Sequence, residues 1–307
     1  MKSSRYPQFA WSVLAFNVLV ILWGAYVRAT GSGAGCGSHW PLCNGEVIPR
    51  APQIETMVEF AHRLSSGLSL LLVAGLFVWA LRLYPKGNRV RRAAGYSFLF
   101  IITEALIGAV LVLFKWVVDD QSTGRAVTIV IHLVNTFLLL ASLTLTAWLA
   151  SGRGQMSEPG NRKLWVLLAI GLGGTLVIGA SGALTALGDT LFPAASLAEG
   201  LRQDFSPTAH FLIRLRVLHP TIAVIVGIFL LLLAGIIRLQ DSQQEAQTFS
   251  RLLTLGVMLQ LAAGIINVLL LAPVWMQIVH LLLADLVWII LVLLAYSSLR
   301  LGYNNRL

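Results

Sequence analysis

Glu59-Phe60-Ala61-His62-Arg63 stands at the mouth of an apolar run that continues from Leu64 to Leu81. The run decides the fold, because the hydrocarbon layer of a bilayer is roughly 30 Å thick and takes about 20 residues of helix to cross. An ionisable group at the edge of such a helix is costly and usually functional. Here an acid, a metal-capable imidazole and a fixed cation stand at i, i+3 and i+4, so they share one helical face.

The rest of the chain repeats that apolar character. Of the 307 residues 57% are hydrophobic and 11% charged, against about 25% charged in soluble domains, and the mean hydropathy is +0.80. Spans can be drawn over Phe9–Val27, Met57–Leu81, Gly95–Phe114, Ala126–Ala150, Leu164–Leu184, Val217–Ile237, Leu252–Leu271 and Ile278–Leu299. The expected fold is an all-α integral membrane protein with eight transmembrane helices. The first run is too long for the apolar core of a signal peptide and lacks a clear small-residue cleavage site, so it counts as a span.

The net charge of +9 points to topology and not to nucleic acid, because the basic residues alternate between loops. Lys2, Arg5, Arg82, Lys86, Arg89, Arg91, Arg92, Arg153, Arg162, Lys163, Arg238, Arg251, Arg300 and Arg306 fall on one side, which the positive-inside rule makes cytoplasmic. Glu46, Glu55, Asp119, Asp120, Asp189, Glu199, Asp204 and both cysteines fall on the other. Both termini are then expected inside.

The spans also read as two copies of four. Glu104-Ala105-Leu106-Ile107-Gly108 in the third is echoed by Gln260-Leu261-Ala262-Ala263-Gly264 in the seventh, and Ile131-His132-Leu133 in the fourth by Val279-His280-Leu281 in the eighth. Each half has an even number of spans, so the halves share an orientation and a pseudo-twofold axis along the membrane normal. The expected domains are two tandem four-helix bundles, residues 1–155 with an outer cysteine loop at 29–55, and residues 156–307.

Of six histidines, His62, His132, His219 and His280 each lie near the outer start of an even-numbered span. A lone membrane histidine is ordinarily a hydrogen-bonded helix contact, but four at one depth in repeat relation point to ligation. Two facing imidazoles without a cysteine or carboxylate set suit a planar macrocycle, haem, better than a bare tetrahedral ion. His39 and His210 break the pattern and read as rim residues. Cys36 and Cys43, in a Gly- and Pro-rich loop on the oxidising side, read as a disulfide or a redox-active dithiol. Glu104, Asn135, Asn267 and Asp285 read first as interhelical hydrogen-bonding groups. Arg214 and Arg216 read equally as propionate ligands or rim charges. Trp11, Trp40, Trp116, Trp148, Trp165 and Trp275, near span ends, read mostly as interface anchors.

These residues resemble the haem A synthase family, membrane enzymes that oxidise a methyl group of haem O to a formyl group. The resemblance rests on Arg28-Ala29-Thr30-Gly31-Ser32-Gly33-Ala34-Gly35-Cys36, Trp40-Pro41-Leu42-Cys43, Glu59-x-x-His62-Arg63, His132-Leu133, His280-Leu281 and Leu187-Gly188-Asp189-Thr190-Leu191-Phe192-Pro193. It implies that His219 and His280 hold a resident haem b, that His62 and His132 frame the substrate haem O, and that Glu59 is the catalytic base. The competing reading of Glu59 is a plain i, i+4 pair with Arg63. The resemblance further implies the plasma membrane as location, haem sites near its outer face, lipid as surroundings and a haem O synthase as donor. Electron acceptor, oxygen source and oligomeric state stay open. Two departures stand out: Pro220 follows His219 where Arg63 follows His62, and the second half has no cysteine pair.

The rival class is a bis-histidine cytochrome b carrying electrons from quinol to a partner. Such a relay needs haems near both faces, and all four histidines here lie near one. The loop assignment has a direct test: reporters fused after Lys86, Arg153 and Gln243 should read cytoplasmic, and reporters in the Cys36 loop or beside Asp189 external. A cytoplasmic Cys36 loop overturns the topology.

Overall fold

The computed structural model describes residues 5–50, 52–153, 162–240 and 243–298. Lys2, Arg300, Arg306, both chain ends and the expected boundary at 155/156 lie outside the described residues. Ten α-helices follow one another: α1 (Arg5–Ala29), α2 (Ile54–Leu83), α3 (Arg89–Leu113), α4 (Thr123–Ala150), α5 (Arg162–Leu191), α6 (Leu197–Asp204), α7 (Phe211–Arg216), α8 (Leu218–Gln240), α9 (Gln244–Leu269) and α10 (Val274–Ser298). With α7 and α8 taken as one span, eight helices among the described residues are long and apolar enough to cross a membrane. The chain is an all-helical, multi-pass membrane protein. Helices are the economical answer in lipid, because each backbone polar group finds its partner within its own segment.

The fifth span outruns its expected limit at Leu184. Helix α5 runs to Leu191, so Gly188 and Asp189, expected in an outer loop, are helical. The helix can carry Asp189 because Arg216 Nη1 stands 3.1 Å from its carboxylate. The loop that follows holds α6, whose Leu197, Leu201 and Phe205 make an exposed apolar stripe.

Helix α1 packs on α2 and α4, and α3 on α2 and α4; α5 packs on α8 and α10, and α9 on α8 and α10. Between these groups α4 meets α5 and α10, and α1 meets α10. A detail of backbone recurs. Helix α3 ends with Lys115 at φ 60 and a bond from Trp116 N to Leu111 O of 2.8 Å, and α9 ends with Leu271 at φ 60 and a bond from Ala272 N to Asn267 O of 2.7 Å. Both are left-handed caps of the Schellman kind, built here without the usual glycine.

One buried cluster joins α1 to α4 and reaches Trp288 and Val292 of α10; a second joins α5, α8, α9 and α10. The clusters are fastened together where Phe137 of α4 stacks on Trp288, with centroids 5.1 Å apart, and the indole N–H donates to Phe137 O at 2.6 Å. Lipid tails are as apolar as leucine, so packing and hydrogen bonds carry such contacts. Trp148 also departs from the interface reading: it is 3% exposed and meets Phe249 edge-on at 5.3 Å.

Trp288→Phe should keep the stack and lose about 1 kcal/mol with the hydrogen bond, whereas Trp288→Ala should lose about 3 kcal/mol or more. Melting of the two variants in one detergent checks the order. Equal melting temperatures would show that this contact does not fasten the bundle.

Candidate functional site

Helix α2 begins where the loop after α1 ends, and its first turns carry Glu59, His62 and Arg63 to the loop's underside. Cys36 and Cys43 are joined in a disulfide. The backbone N–H of Cys36 donates to Glu59 Oε2 at 2.7 Å. Arg63 donates to Glu59 Oε1 through Nε at 3.1 Å and Nη2 at 2.5 Å, and its Nη1 donates to the carbonyls of Leu42, at 2.5 Å, and His39. Thr56 donates to Gly35 O at 2.8 Å. The i, i+4 pair expected from the sequence is therefore present, and it ties the closed loop to α2.

Each of the four expected ligand histidines lies on a different helix and faces a glycine of the neighbouring one. A Cβ built on Gly24 of α1 would stand 2.9 Å from His62 Cε1, and one on Gly182 of α5 would stand 3.0 Å from His219 Cε1. On α9 a Cβ at Gly264 would stand 3.2 Å from His280 Cε1, and on α3 one at Gly108 would stand 4.0 Å from His132 Cε1. The rings of His62, His219 and His280 occupy room that a side chain would crowd, whereas a Cβ at Gly108 would meet His132 in ordinary contact. Real Cβ contacts below 3.0 Å essentially never occur, so a side chain at Gly24 would have to move the His62 ring.

His219 and His280 form a pair with ring centroids 6.4 Å apart and planes at 87°. Two metal–nitrogen bonds of about 2 Å each would place the centroids of two axial imidazoles roughly 6 Å apart, so the pair suits a bis-imidazole iron. Ser181 donates to Ile178 O at 2.9 Å. With its one proton spent there, the hydroxyl accepts from His219 Nδ1, 3.0 Å away. That leaves Nε2 of His219 as the bare nitrogen, the usual arrangement of a metal-ligating histidine. Nδ1 of His62, of His132 and of His280 is buried without a hydrogen-bond partner among the described residues. The residues present fit haem.

Sequence reasoning missed much of what surrounds these rings. Glu104 of α3 holds its Oε1 3.4 Å from His132 Nδ1, accepts from Asn135 Nδ2 at 2.5 Å, and accepts from the Thr136 hydroxyl. Gln260 of α9 has its Nε2 3.3 Å from His280 Nε2. Glu104 and Asn135 thus bond between helices as expected, while Asp285, fully buried, and Asn267 Oδ1 have no partner. Arg216 is taken by Asp204, at 2.6 Å, and Asp189, and Arg214 by the carbonyl of Pro207. Arg28 of α1 donates to Ala186 O and Thr190 Oγ1, both at 2.7 Å, and to Gln277 Oε1 at 2.8 Å. The glycines had a signal in the sequence, since Gly108 and Gly264 stand at the same distance from Glu104 and Gln260. Arg28 also had one, as a cation on the side where cations are sparse.

Fold and site together define a multi-pass helical membrane protein with paired intramembrane imidazoles at one end of its helices. The sequence profile of the COX15-CtaA family, described as cytochrome oxidase assembly protein, matches residues 7–292. The chain belongs to that family. It is 53% identical over 299 residues to a protein named protoheme IX farnesyltransferase from Thermus thermophilus, a match that covers 97% of this chain and 49% of the relative. A heme A synthase of Halalkalibacterium halodurans is 39% identical over 142 residues, 46% of this chain and 45% of the relative. A heme A synthase of Bacillus cereus is 42% identical over 97 residues, 32% of this chain and 31% of the relative. The chain spans half or less of the length of the curated relatives it matches.

The glycine contacts yield a test. Gly182→Leu should push the His219 ring from its seat at an overpacking cost of about 1 to 3 kcal/mol and lower the haem content of the purified protein. Gly67→Leu, on α2 with nothing within 4 Å of its Cβ, should leave haem content unchanged. Pyridine haemochrome absorbance reads both, and equal haem in the two variants would refute the clearance role.

Proposed function

We propose that this protein is a haem A synthase of the plasma membrane, an oxidoreductase that converts a methyl group of haem O through an alcohol to a formyl group, for the haem A of cytochrome oxidase. The observation that carries the reading is the set of four imidazoles, each seated on a glycine of its neighbour, with one pair already at bis-imidazole separation. Family membership and the two heme A synthase relatives support it. The rival cytochrome b reading loses support because all four rings lie toward the end of the helices that bears the disulfide loop.

In this reading the chain works as two pseudo-twofold-related halves, residues 1–155 and 156–307, with both termini cytoplasmic. The pairing of helices supports it: α1, α2, α3 and α4 contact one another in the order that α5, α8, α9 and α10 repeat. His219 and His280 hold a haem b, which supplies one-electron transfer when bound. His62 and His132 hold haem O from two sides, and that fixes which edge of the substrate is offered for oxidation. Glu59, one helical turn before His62, takes the proton released as the methyl or the alcohol is oxidised. A haem O synthase supplies the substrate. The Thermus relative supports that partner, since its name is for farnesyl transfer to protohaem IX and this chain accounts for about half of it.

A second reading of Glu59 has its own observation, the bonds to Cys36 and Arg63 that make it the anchor of the disulfide loop. Glu59→Gln separates the two. As a base, Glu59 is worth about 10² to 10⁴ in rate, so the variant should keep haem b and accumulate haem O or the alcohol. As an anchor alone, its replacement should leave haem A yield nearly intact. Chromatography of haems extracted from cells at matched protein level reads the outcome.

The ligand assignment is tested with alanine. His219→Ala or His280→Ala should lose haem b, and His62→Ala or His132→Ala should abolish haem O oxidation while haem b stays. Full haem b in His280→Ala would overturn the second-half pair.

A further inference from the structure

The two halves differ at the group that faces the ring on α4 and on α10. On α3 it is a carboxyl: Glu104 Oε1 lies 3.4 Å from His132 Nδ1. On α9, at the matching place four residues before the clearing glycine, it is the amide of Gln260, 3.3 Å from His280 Nε2. The carboxyl is built in. Asn135 Nδ2 donates to its Oε2 at 2.5 Å and to Phe100 O at 2.9 Å. Thr103 in turn donates to Asn135 Oδ1 at 2.6 Å, and the Thr136 hydroxyl donates to Glu104 Oε1. Both carboxyl oxygens are thus held, Oε2 by the Asn135 amide and Oε1 against the Thr136 hydroxyl, which also lies 2.9 Å from His132 O. His132 Nδ1 is buried and has no hydrogen-bond partner among the described residues, and the Glu104 carboxyl, 3.4 Å away, is the charged group set beside it.

We propose that Glu104 is a positioning residue for His132, fixing Nδ1–H toward the carboxylate and Nε2 toward the iron of the haem bound in the first half, and that it makes this iron the more electron-rich of the two. The proposal rests on the reading of His62 and His132 as the substrate-side pair. A carboxylate behind a ligating imidazole raises the ligand's basicity, and such partners typically contribute 10- to 100-fold to metal affinity. Negative charge beside the ligand also favours the ferric over the ferrous state. The amide of Gln260 carries no net charge, so the second-half iron lacks this bias. The division suits a site whose haem is oxidised paired with a site whose haem passes electrons.

The test uses the full chain in detergent, with iron protoporphyrin IX as the probe in the first-half site and no turnover. Wild type, Glu104→Gln, Thr136→Val and Gln260→Glu are compared by haem titration, by electron paramagnetic resonance and by redox titration. Glu104→Gln should weaken first-half binding by about 10- to 100-fold. It should also raise the first-half midpoint by about 59 mV for each tenfold loss of ferric preference, with the second-half signal unmoved. Thr136→Val keeps the charge but frees the carboxyl, and should move both readings the same way by less, which keeps the test alive if Glu104→Gln does not fold. Gln260→Glu should lower the second-half midpoint. First-half affinity, potential and g-values that do not change in Glu104→Gln and Thr136→Val overturn the proposal and leave the site reading standing. First-half binding of iron protoporphyrin IX that is unchanged in His62→Ala and in His132→Ala overturns the site reading, and the proposal with it.

Discussion

Each histidine-bearing helix sets an imidazole against a glycine of its neighbour, tightly at Gly24, Gly182 and Gly264 and in ordinary contact at Gly108. A histidine ring between two helices ordinarily holds them apart. With Gly24, Gly108, Gly182 and Gly264 opposite the rings, the backbones approach and the rings keep their places. Lipid does not drive helices together, so small residues at contacts are what permit the close packing that does. The interface that carries an imidazole and the tightly packed interface are therefore the same interface here.

Polar groups that bilayers penalise are managed by pairing. Several arginines at the end of the helices where the histidines lie are spent on links within the protein. Arg28 ties α1 to α5 and α10, Arg125 closes the loop before α4 through the carbonyls of Val118 and Asp120, both at 2.7 Å, and Arg216 gathers Asp189 and Asp204. An arginine has five donors in a rigid fork, so one side chain can satisfy several helix-end carbonyls that would otherwise be buried unpaired. These links hold the end of the molecule where the histidines lie.

The spans, their number and the histidine set were legible in the sequence because length and hydropathy decide what crosses a membrane, and because His62, His132, His219 and His280 recur at one place in successive even spans. What was not legible was which side chains meet. Helix α5 outruns its apolar segment because a partner far along the chain, Arg216, pairs with Asp189, and no local rule announces that. The caps at Lys115 and Leu271 carry no glycine to mark them. Trp148 sits at a span end like an interface tryptophan, yet α9 covers it with Phe249. Such outcomes depend on tertiary neighbours, which a periodicity does not contain.

The departure at Pro220 takes on meaning from what covers each half. In the first half the cation after His62 serves the loop, because Arg63 holds Glu59 and the carbonyls of the disulfide-closed turn. In the second half no cysteine pair closes the connection, and the cation stands before the histidine, where Arg216 holds Asp204 at the end of α6 and Asp189 at the end of α5. A closed loop tied by one arginine and a short helix tied by another solve the same problem, how to cap the end of a four-helix group where an imidazole lies within a few turns of water. Both four-helix groups carry the ring, the glycine and an arginine anchor. They differ in how the cover is fastened and, at Glu104 and Gln260, in the charge beside one imidazole, which is where two groups of similar plan can acquire different chemistry.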